Sequence, residues 1–509
     1  MLYVDRRCSG LKLAEVSDKK QAGSDSTELG GAATDRLYPQ VTFGALPDDV
    51  LLETFEFYLG KDVFDYIPFD DHNYDGWQTL VHVCRRWRCI VFASPRRLDL
   101  KLYCTQHRLV KSETLDIWPA LPIVIVASNI QPKEDETNII AALKQHNRVC
   151  KIYYDQFQDS LLEEVAKIDK PFPALTSLEL VSSQQQNVTV LPDSFLGGSA
   201  PRLRSLELFG IPYPSIGNLL SSTTNLVELT LWRIPHSGYI SPETIVPCLS
   251  MLSRLESLTL GFSHPRSRAH QTSRHPPPLT RVVFPNLTYL SFVGEIEYLE
   301  DILSQIETPI LNQSIFSFFN RLVFDTPPLG HFIRRTELFM IIHTARVNFN
   351  SSYVKVILLG QQEMDNHNGV SSNPLELYIS CESLDWQLSV VAQILNSLSS
   401  SLPTFETLEI AVDHYDWQDE IEVTQWLELL HPFISVKRIH LGPENTAIFV
   451  APALQELSEE GATEVLPALQ ELSLSTVPSG LVKEAIEQFI ATRRLCSRPV
   501  TVHYLGHQN

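Results

Sequence analysis

The chain has 509 residues, 44% of them hydrophobic, and a formal net charge of −20, enough apolar material for several ordinary domains or one long repeat array. That charge repels phosphate polyanions, so nucleic-acid binding is not expected without a dense local basic patch, and only residues 85–111 form one. The longest apolar runs, such as Ile123–Ala127, fall far short of the roughly 20 residues that span a bilayer, and residues 1–16 lack the apolar stretch of a secretory signal; the expectation is a soluble intracellular protein, cytoplasmic or nuclear, with reduced cysteines.

Residues 1–40, which include SDKKQAGSDSTELGGAATD, read as a disordered tail. Helix signals begin in GALPDDVLLETFEFYLG at 44–60. Pro47 suits a first helical position, Asp48 and Asp49 favour the positive end of the dipole, and Gly60 suits a C-terminal stop. Val50, Leu51, Phe55, Tyr58 and Leu59 make one wide apolar stripe. A second helix is expected from about Trp77 to Phe92, with Leu80, Val83, Cys84, Trp87, Ile90 and Val91 at helical spacing and Ser94-Pro95 ending it. A helical domain at 41–94 is too small to enclose so many large apolar side chains, so part of that surface is expected to seek a partner.

Two sharper readings of this stretch fail or weaken. Cys84, Cys89, Cys104 and His107 have a zinc-like spacing, but on one helix positions 84 and 89 point about 140° apart and cannot share a tetrahedral ion. Arg85, Arg86, Arg88, Arg96 and Arg97 read as a solvated face that complements an acidic protein rather than a phosphate grip. No metal and no cofactor is expected.

From residue 175 an LxxLxL segment recurs about every 29 residues: Leu175-Thr-Ser-Leu178-Glu-Leu180, then Leu203…Leu208, Leu226…Leu231, Leu255…Leu260 and Leu287…Phe292. Variants follow at Phe319…Leu322-Val-Phe324, Phe405…Ile410, Val436…Leu441 and Leu469…Leu474. Weaker copies sit at Val347-Asn-Phe349 and Leu375-Glu-Leu377, and at the ends at Leu98-Asp-Leu100, Ile123-Val-Ile125, Cys150-Lys-Ile152 and Val500-Thr-Val502. Patterns with helical spacing lie between them, such as Leu481, Ala485, Ile486, Phe489 and Ile490. A strand plus a helix cannot bury its apolar face alone, so such units stack into a solenoid, here α/β with parallel strands inside and helices outside over 95–509. Polar stretches at 263–280, 361–374 and 456–464 are expected to be mobile loops.

The repeat resembles leucine-rich repeats of the long, ribonuclease-inhibitor-like kind. It departs from them where an Asn or Cys is expected after the segment: those places hold Ser183, Ile211, Ile234 and Ser263, so irregular stacking is expected. The N-terminal segment resembles the F-box, through Leu46-Pro47, Val50-Leu51, Phe55 and Leu59, then Leu80…Val83-Cys84-Arg85-Arg86-Trp87. The Asp-rich connection over 61–76 is longer than usual for that family, and Arg96-Arg97-Leu98 stands where a tryptophan is often found. The resemblance implies the substrate receptor of a Skp–cullin–F-box ubiquitin ligase, with Leu46, Pro47, Val50, Leu51, Phe55, Leu80, Val83, Cys84 and Trp87 docking on a Skp-type adaptor. It implies no catalysis by this chain, and the chain has no GxxxxGK[ST], GxSxG, HExxH or strand-linked GxGxxG motif.

Within each segment the leucines point inward and the residues between them face the concave side. Those residues include Glu179, Glu207, Phe209, Glu228, Trp232, Tyr289, Tyr378 and Glu409. Glu207, Phe209, Glu228, Trp232 and Tyr289 are the candidate substrate-binding set, suited to a basic or amphipathic protein segment. The competing expectation is a scaffold or sensor without ligase activity, in which the N-terminal helices cap the solenoid.

Overall fold

A computed structural model describes residues 46–59, 76–105, 120–128, 136–155, 159–182, 189–265, 280–319, 327–336, 342–360, 375–399, 405–413, 422–459 and 465–505. The tail at 1–40, Gly60 and the acidic connection of 61–75 lie outside them. The chain divides into two units, Met1–Thr54 and Phe55–Asn509.

Helix α1 spans Asp48–Leu59, and its first turn closes through a hydrogen bond from the Leu51 amide to the Pro47 carbonyl (3.2 Å). The expected second helix is in fact two, α2 (Gly76–Val83) and α3 (Arg85–Ala93). Cys84 between them is extended (φ −157°, ψ 169°), and its Sγ accepts the Trp87 amide at 3.4 Å, so a thiol serves as N-cap. Arg88 Nε donates to the Val81 carbonyl (2.9 Å), satisfying the end of α2. Arg88 is thus committed locally instead of merely solvated. Cys84 and Cys89 are exposed and Cys104 is buried; His107 lies outside the described residues.

Sixteen strands among the described residues form one sheet. They are β1 (Leu102–Thr105), β2 (Ile123–Ser128), β3 (Val149–Asp155), β4 (Ser177–Val181), β5 (Ser205–Phe209), β6 (Glu228–Ile234), β7 (Ser257–Phe262), β9 (Tyr289–Gly294), β11 (Gln313–Phe318), β12 (Ile342–Phe349), β13 (Tyr353–Gly360), β14 (Leu375–Ser380), β15 (Thr407–Val412), β16 (Arg438–Leu441), β17 (Glu471–Leu474) and β18 (Thr501–Tyr504). Two short strands, β8 (Val282–Val283) and β10 (Ile306–Glu307), pair separately. The connections carry helices α4 (Glu136–Leu143), α5 (Asp159–Ala166), α6 (Ile216–Leu220), α7 (Pro242–Ser250), α8 (Ile296–Gln305), α9 (Pro327–Arg335), α10 (Leu384–Ser399), α11 (Val423–Leu430), α12 (Glu444–Glu459) and α13 (Gly480–Leu495).

Each LxxLxL segment buries its leucines. Leu178, Leu180, Leu206, Leu208, Leu229, Leu231, Leu258 and Leu260 are at most 3% exposed, and each such side chain is worth about 1.5–3 kcal/mol of burial. From β3 to β11 the pairings keep register except between β6 and β7, where it shifts between Leu231 and Ile234, so the expected irregularity is present at that one step. Where an asparagine was missing, Ile211 and Ile234 are buried apolar residues, and Ser263 Oγ donates to the Arg233 carbonyl (2.6 Å); Ser183 lies outside the described residues. Asparagines act at the other end of the strands instead. Asn225 Nδ2 donates to the Pro201 carbonyl (3.0 Å) and Asn286 Nδ2 to the Ser253 carbonyl (2.8 Å), each reaching back one unit.

Register also shifts between β2 and β3 and between β12 and β13, but the order of strands departs from the sequence in one place. The strand order runs β9-β11-β14-β13-β12-β15, and β13 is antiparallel to both its neighbours. The cause is the short turn Asn350-Ser351-Ser352, closed by a hydrogen bond from the Asn350 amide to the Tyr353 carbonyl (3.0 Å), which makes β12 and β13 a hairpin. All other pairings in this sheet are parallel.

Three local expectations change, and a fourth falls outside the described residues. Leu98-Asp-Leu100 is a turn, with Asp99 at φ 45°, and the first strand starts at Leu102. Leu322–Phe324 lies outside the described residues, and the strand beside β9 is Gln313–Phe318, which buries Ser314, Phe316 and Phe318. Residues 456–459 continue α12 because Leu454 and Leu457 extend its buried face; 266–279, 361–374 and 460–464 lie outside the described residues. Leu481 is 82% exposed, while Ala485, Ile486 and Phe489 carry the buried face of α13.

Gly197 and Gly198 test the tightness of one turn. Both have positive φ, but a Cβ at 197 would lie 2.6 Å from the Pro171 nitrogen, and one at 198 would meet nothing within 4 Å. Gly198→Ala should cost about 1 kcal/mol and Gly197→Ala at least about 3. Urea midpoints followed by tryptophan fluorescence check this; equal midpoints would mean the Pro171 backbone yields freely.

Candidate functional site

The residues expected to dock on an adaptor split by burial. Leu51, Phe55 and Leu80 are interior, at 1%, 1% and 5% exposure, and the Phe55 ring lies 4.7 Å from that of Trp87. Pro47, Val50, Val83 and Cys84 are exposed, while Leu46 and Trp87 are half-buried. Phe57, at 90% exposure, escaped the sequence reading, as did the prominence of Tyr58. Phe57 follows Val50 by seven residues and so borders the apolar stripe of α1; that spacing was the available signal. Within the second unit, Trp77 Nε1 donates to the Lys101 carbonyl (3.0 Å), and Arg97 pairs with Glu56 (3.5 Å). The first contact ties α2 to the chain leading into β1.

The sheet face expected to be concave is defined by register. One row runs Tyr153, Glu179, Glu207, Thr230, Thr259, Ser291, Ile315, Glu376, and continues through Ile357, Arg346, Glu409 and His440. A second row pairs Ser205 with Glu228, Ser257 and Tyr289. A third pairs Asp155, Val181, Phe209 and Trp232. All five candidate substrate residues therefore share one face, with Phe209 and Trp232 directly opposite each other on adjacent strands. The Arg233 guanidinium lies 5.0 Å from the centroid of the Phe209 ring. Trp232 packs on Gly261, where a Cβ would come within 2.8 Å of the indole.

The two halves of this face differ in charge. Toward the C-terminus the carboxylates are neutralised by their own chain: Arg346 to Glu409 (2.5 Å) and Lys355 to Glu376 (2.8 Å). Among the described residues, Glu179 and Glu207 have no ion-pair partner, and Glu228 accepts only from Ser205 Oγ (3.2 Å). Burial first, then the carboxylates of Glu207 and Asp155, push Glu179 up to about 7. Glu207 is raised by burial and then by Glu228, and Asp155 by burial. This acidic tract accommodates a cation at lower cost than a third negative charge.

At the C-terminal ends of β6, β7 and β9 a shallow cleft opens, with a volume of ≈ 390 Å³ counting its mouth. Its floor is aromatic: Phe262 packs edge-on to Tyr298 (4.8 Å between centroids), and Tyr239 lies 5.8 Å from both. Ile234 and Phe319 complete the walls, and the rim bears His236, His264 and Glu295. No sequence motif signalled this cleft, because its residues come from the variable positions after three successive strands. Among the described residues there is no group of three or more His, Cys, Asp or Glu arranged to hold a metal ion, and no helix is long and apolar enough to cross a membrane.

No protein-family model matches the chain, and no curated protein matches it in sequence. Among solved structures, the chain is similar to the leucine-rich repeat-containing protein LegL7 from Legionella pneumophila, at 11% identity over 77% of this chain and 97% of that one, with a TM-score of 0.24. A superposition at that level establishes no common fold; the leucine-rich-repeat-like architecture rests on the LxxLxL segments and the sheet they build.

The pH dependence of stability tests the acidic tract. Because Glu179 holds its proton to about 7 in the folded chain against the ordinary 4.5, its contribution is fully present below pH 4.5 and is lost as pH rises through 7. Glu179→Gln should therefore shrink the fall in Tm between pH 5 and pH 8, as read by calorimetry. An unchanged fall would place the strain elsewhere.

Proposed function

We propose that the chain is the substrate-recognition subunit of a Skp–cullin–F-box ubiquitin ligase, with the N-terminal helices docking on a Skp-type adaptor and the repeats holding a target protein. The observation that carries this reading is large apolar surface left open on helices bearing the LP…VCRRW pattern: Phe57 at 90%, Val83 at 56%, Tyr58 at 49% and Val50 at 42% exposure. Exposed aromatic and aliphatic anchors of this kind make hot spots when a partner covers them. The chain itself then contributes proximity and orientation, and the ubiquitin-transfer chemistry belongs to other subunits. The acidic, aromatic tract around Glu207, Phe209, Glu228 and Trp232 suits a basic target segment.

The scaffold reading keeps one observation in its favour. Phe55, Leu80, Ile90 and Val91 are buried by the chain itself, and Trp77 is bonded to Lys101, as a capping element requires. The two readings diverge on the exposed set.

Co-expression with a Skp-type adaptor should give stoichiometric co-purification. A Pro47, Phe57 and Val83 triple alanine variant should lose at least about 100-fold in affinity with an unchanged Tm, whereas Phe55→Ala should lower Tm by removing core. An adaptor that binds the triple variant undiminished, or never binds wild type, hands the helices to the capping role. On the face expected to be concave, replacing Phe209, Glu228 and Trp232 together should abolish recovery of the target while leaving the adaptor bound; undiminished recovery would move the target site elsewhere.

A further inference from the structure

The cleft beyond β6, β7 and β9 has a construction that burial of a core does not require. Its aromatic floor is held rigidly from beneath. Tyr298, only 4% exposed, donates its hydroxyl to the Ile240 carbonyl (2.8 Å) and stacks on Phe292 (5.8 Å, 12° between planes). Gly294 lets these rings close up, since a Cβ there would sit 2.7 Å from Phe292 and 2.9 Å from Phe262. The rings are thus preorganised, with Phe262 and Tyr239 left half open at the surface.

Glu295 follows that glycine and stands at the N-cap of α8, yet its side chain caps no backbone amide. Among the described residues it has no hydrogen-bond or ion-pair partner. A carboxylate beside the faces of aromatic rings is complementary to a cation that also carries apolar or planar surface. Among such cations a guanidinium fits best. It stacks flat on rings and presents several N–H donors in a plane, and the rim offers oxygen from Glu295 and ring nitrogens from His236 and His264, whose rings lie 6.2 Å apart. A quaternary ammonium has no donor to use those acceptors.

We infer that this cleft is a recognition pocket for the arginine side chain of a partner protein, with the guanidinium over Phe262 and Tyr239 and paired to Glu295. The pocket adjoins the Trp232–Arg233 end of β6, so the arginine of a segment lying along the acidic tract anchors at its end. The inference holds for a ligase receptor and for a scaffold alike, because it concerns only what the repeats grip.

The test uses the full chain labelled at isoleucine δ1 methyls, with Ile234 as reporter and N-acetyl-arginine methylamide as probe. The Ile234 signal should titrate with a Kd in the millimolar range expected for one side-chain head group. The neutral N-acetyl-citrulline methylamide should bind at least about tenfold more weakly, consistent with loss of a charge-assisted contact. Glu295→Gln, which removes no cap, should weaken the arginine probe about tenfold with an unchanged Tm, and Glu484→Gln on α13 should leave it unaffected. Citrulline binding equal to arginine, or Glu295→Gln without effect, overturns the proposal. Tetramethylammonium binding more tightly than the arginine probe also overturns it, in favour of an alkylammonium site.

Discussion

Everything in the repeat region depends on one backbone contact, repeated at the start of each strand. The Arg204 amide donates to the Thr176 carbonyl, Val227 to Arg204, Glu256 to Val227 and Asn312 to Thr288, each at 2.8 Å, and Thr288 donates to Glu256 at 2.9 Å. This chain of bonds fixes neighbouring units at one register. A slip by one residue would turn every leucine outward and every glutamate inward. The leucine stack and the acidic tract are therefore two faces of the same constraint: burial on one side sets the rows of Glu179, Glu207, Phe209 and Trp232 on the other.

The strand leucines were legible because period-two alternation and a unit of about 29 residues both appear in the sequence, and β4 through β7 and β9 fall on the segments that carried the pattern. Residue pairs on the face expected to be concave followed from the same alternation. What was not legible came from interactions that leave no periodic trace. Cys84 breaks a continuous apolar stripe through its backbone angles and a thiol cap, although Leu80, Val83, Cys84 and Trp87 have unbroken helical spacing. The strand β13 has a nearly continuous apolar run, Val354 to Leu359, with no LxxLxL signature, and its pairing depends on a turn of three polar residues. The cleft draws on Phe262, Glu295 and Tyr298, residues that only the sheet brings side by side.

The N-terminal helices show why an apolar stripe is a poor guide to a binding surface. The F-box resemblance gave Leu51, Phe55 and Leu80 the same role as Val50 and Val83. Burial separates them: the first three are interior and the last two open. Phe57, at the edge of the stripe beside Val50, is the most exposed large hydrophobic residue among those described. A helix can satisfy its own core with one face and still present anchors on another.

The inverted order β14-β13-β12 has a consequence for how the chain reaches its structure. In most of the array each strand pairs with the one next in sequence, so a unit needs only its neighbour and order can spread stepwise from any point. Here Ser314 of β11 must meet Leu375 of β14, and Thr344 of β12 must meet Thr407 of β15. Both pairings enclose a hairpin and long intervening segments, so neither can form until the ends of a large loop come together, and that closure is entropically costly. The centre of the solenoid is thus a cooperative knot of long-range contacts between two arms of short-range ones. Pairings of this kind are the slow ones to form in proteins generally.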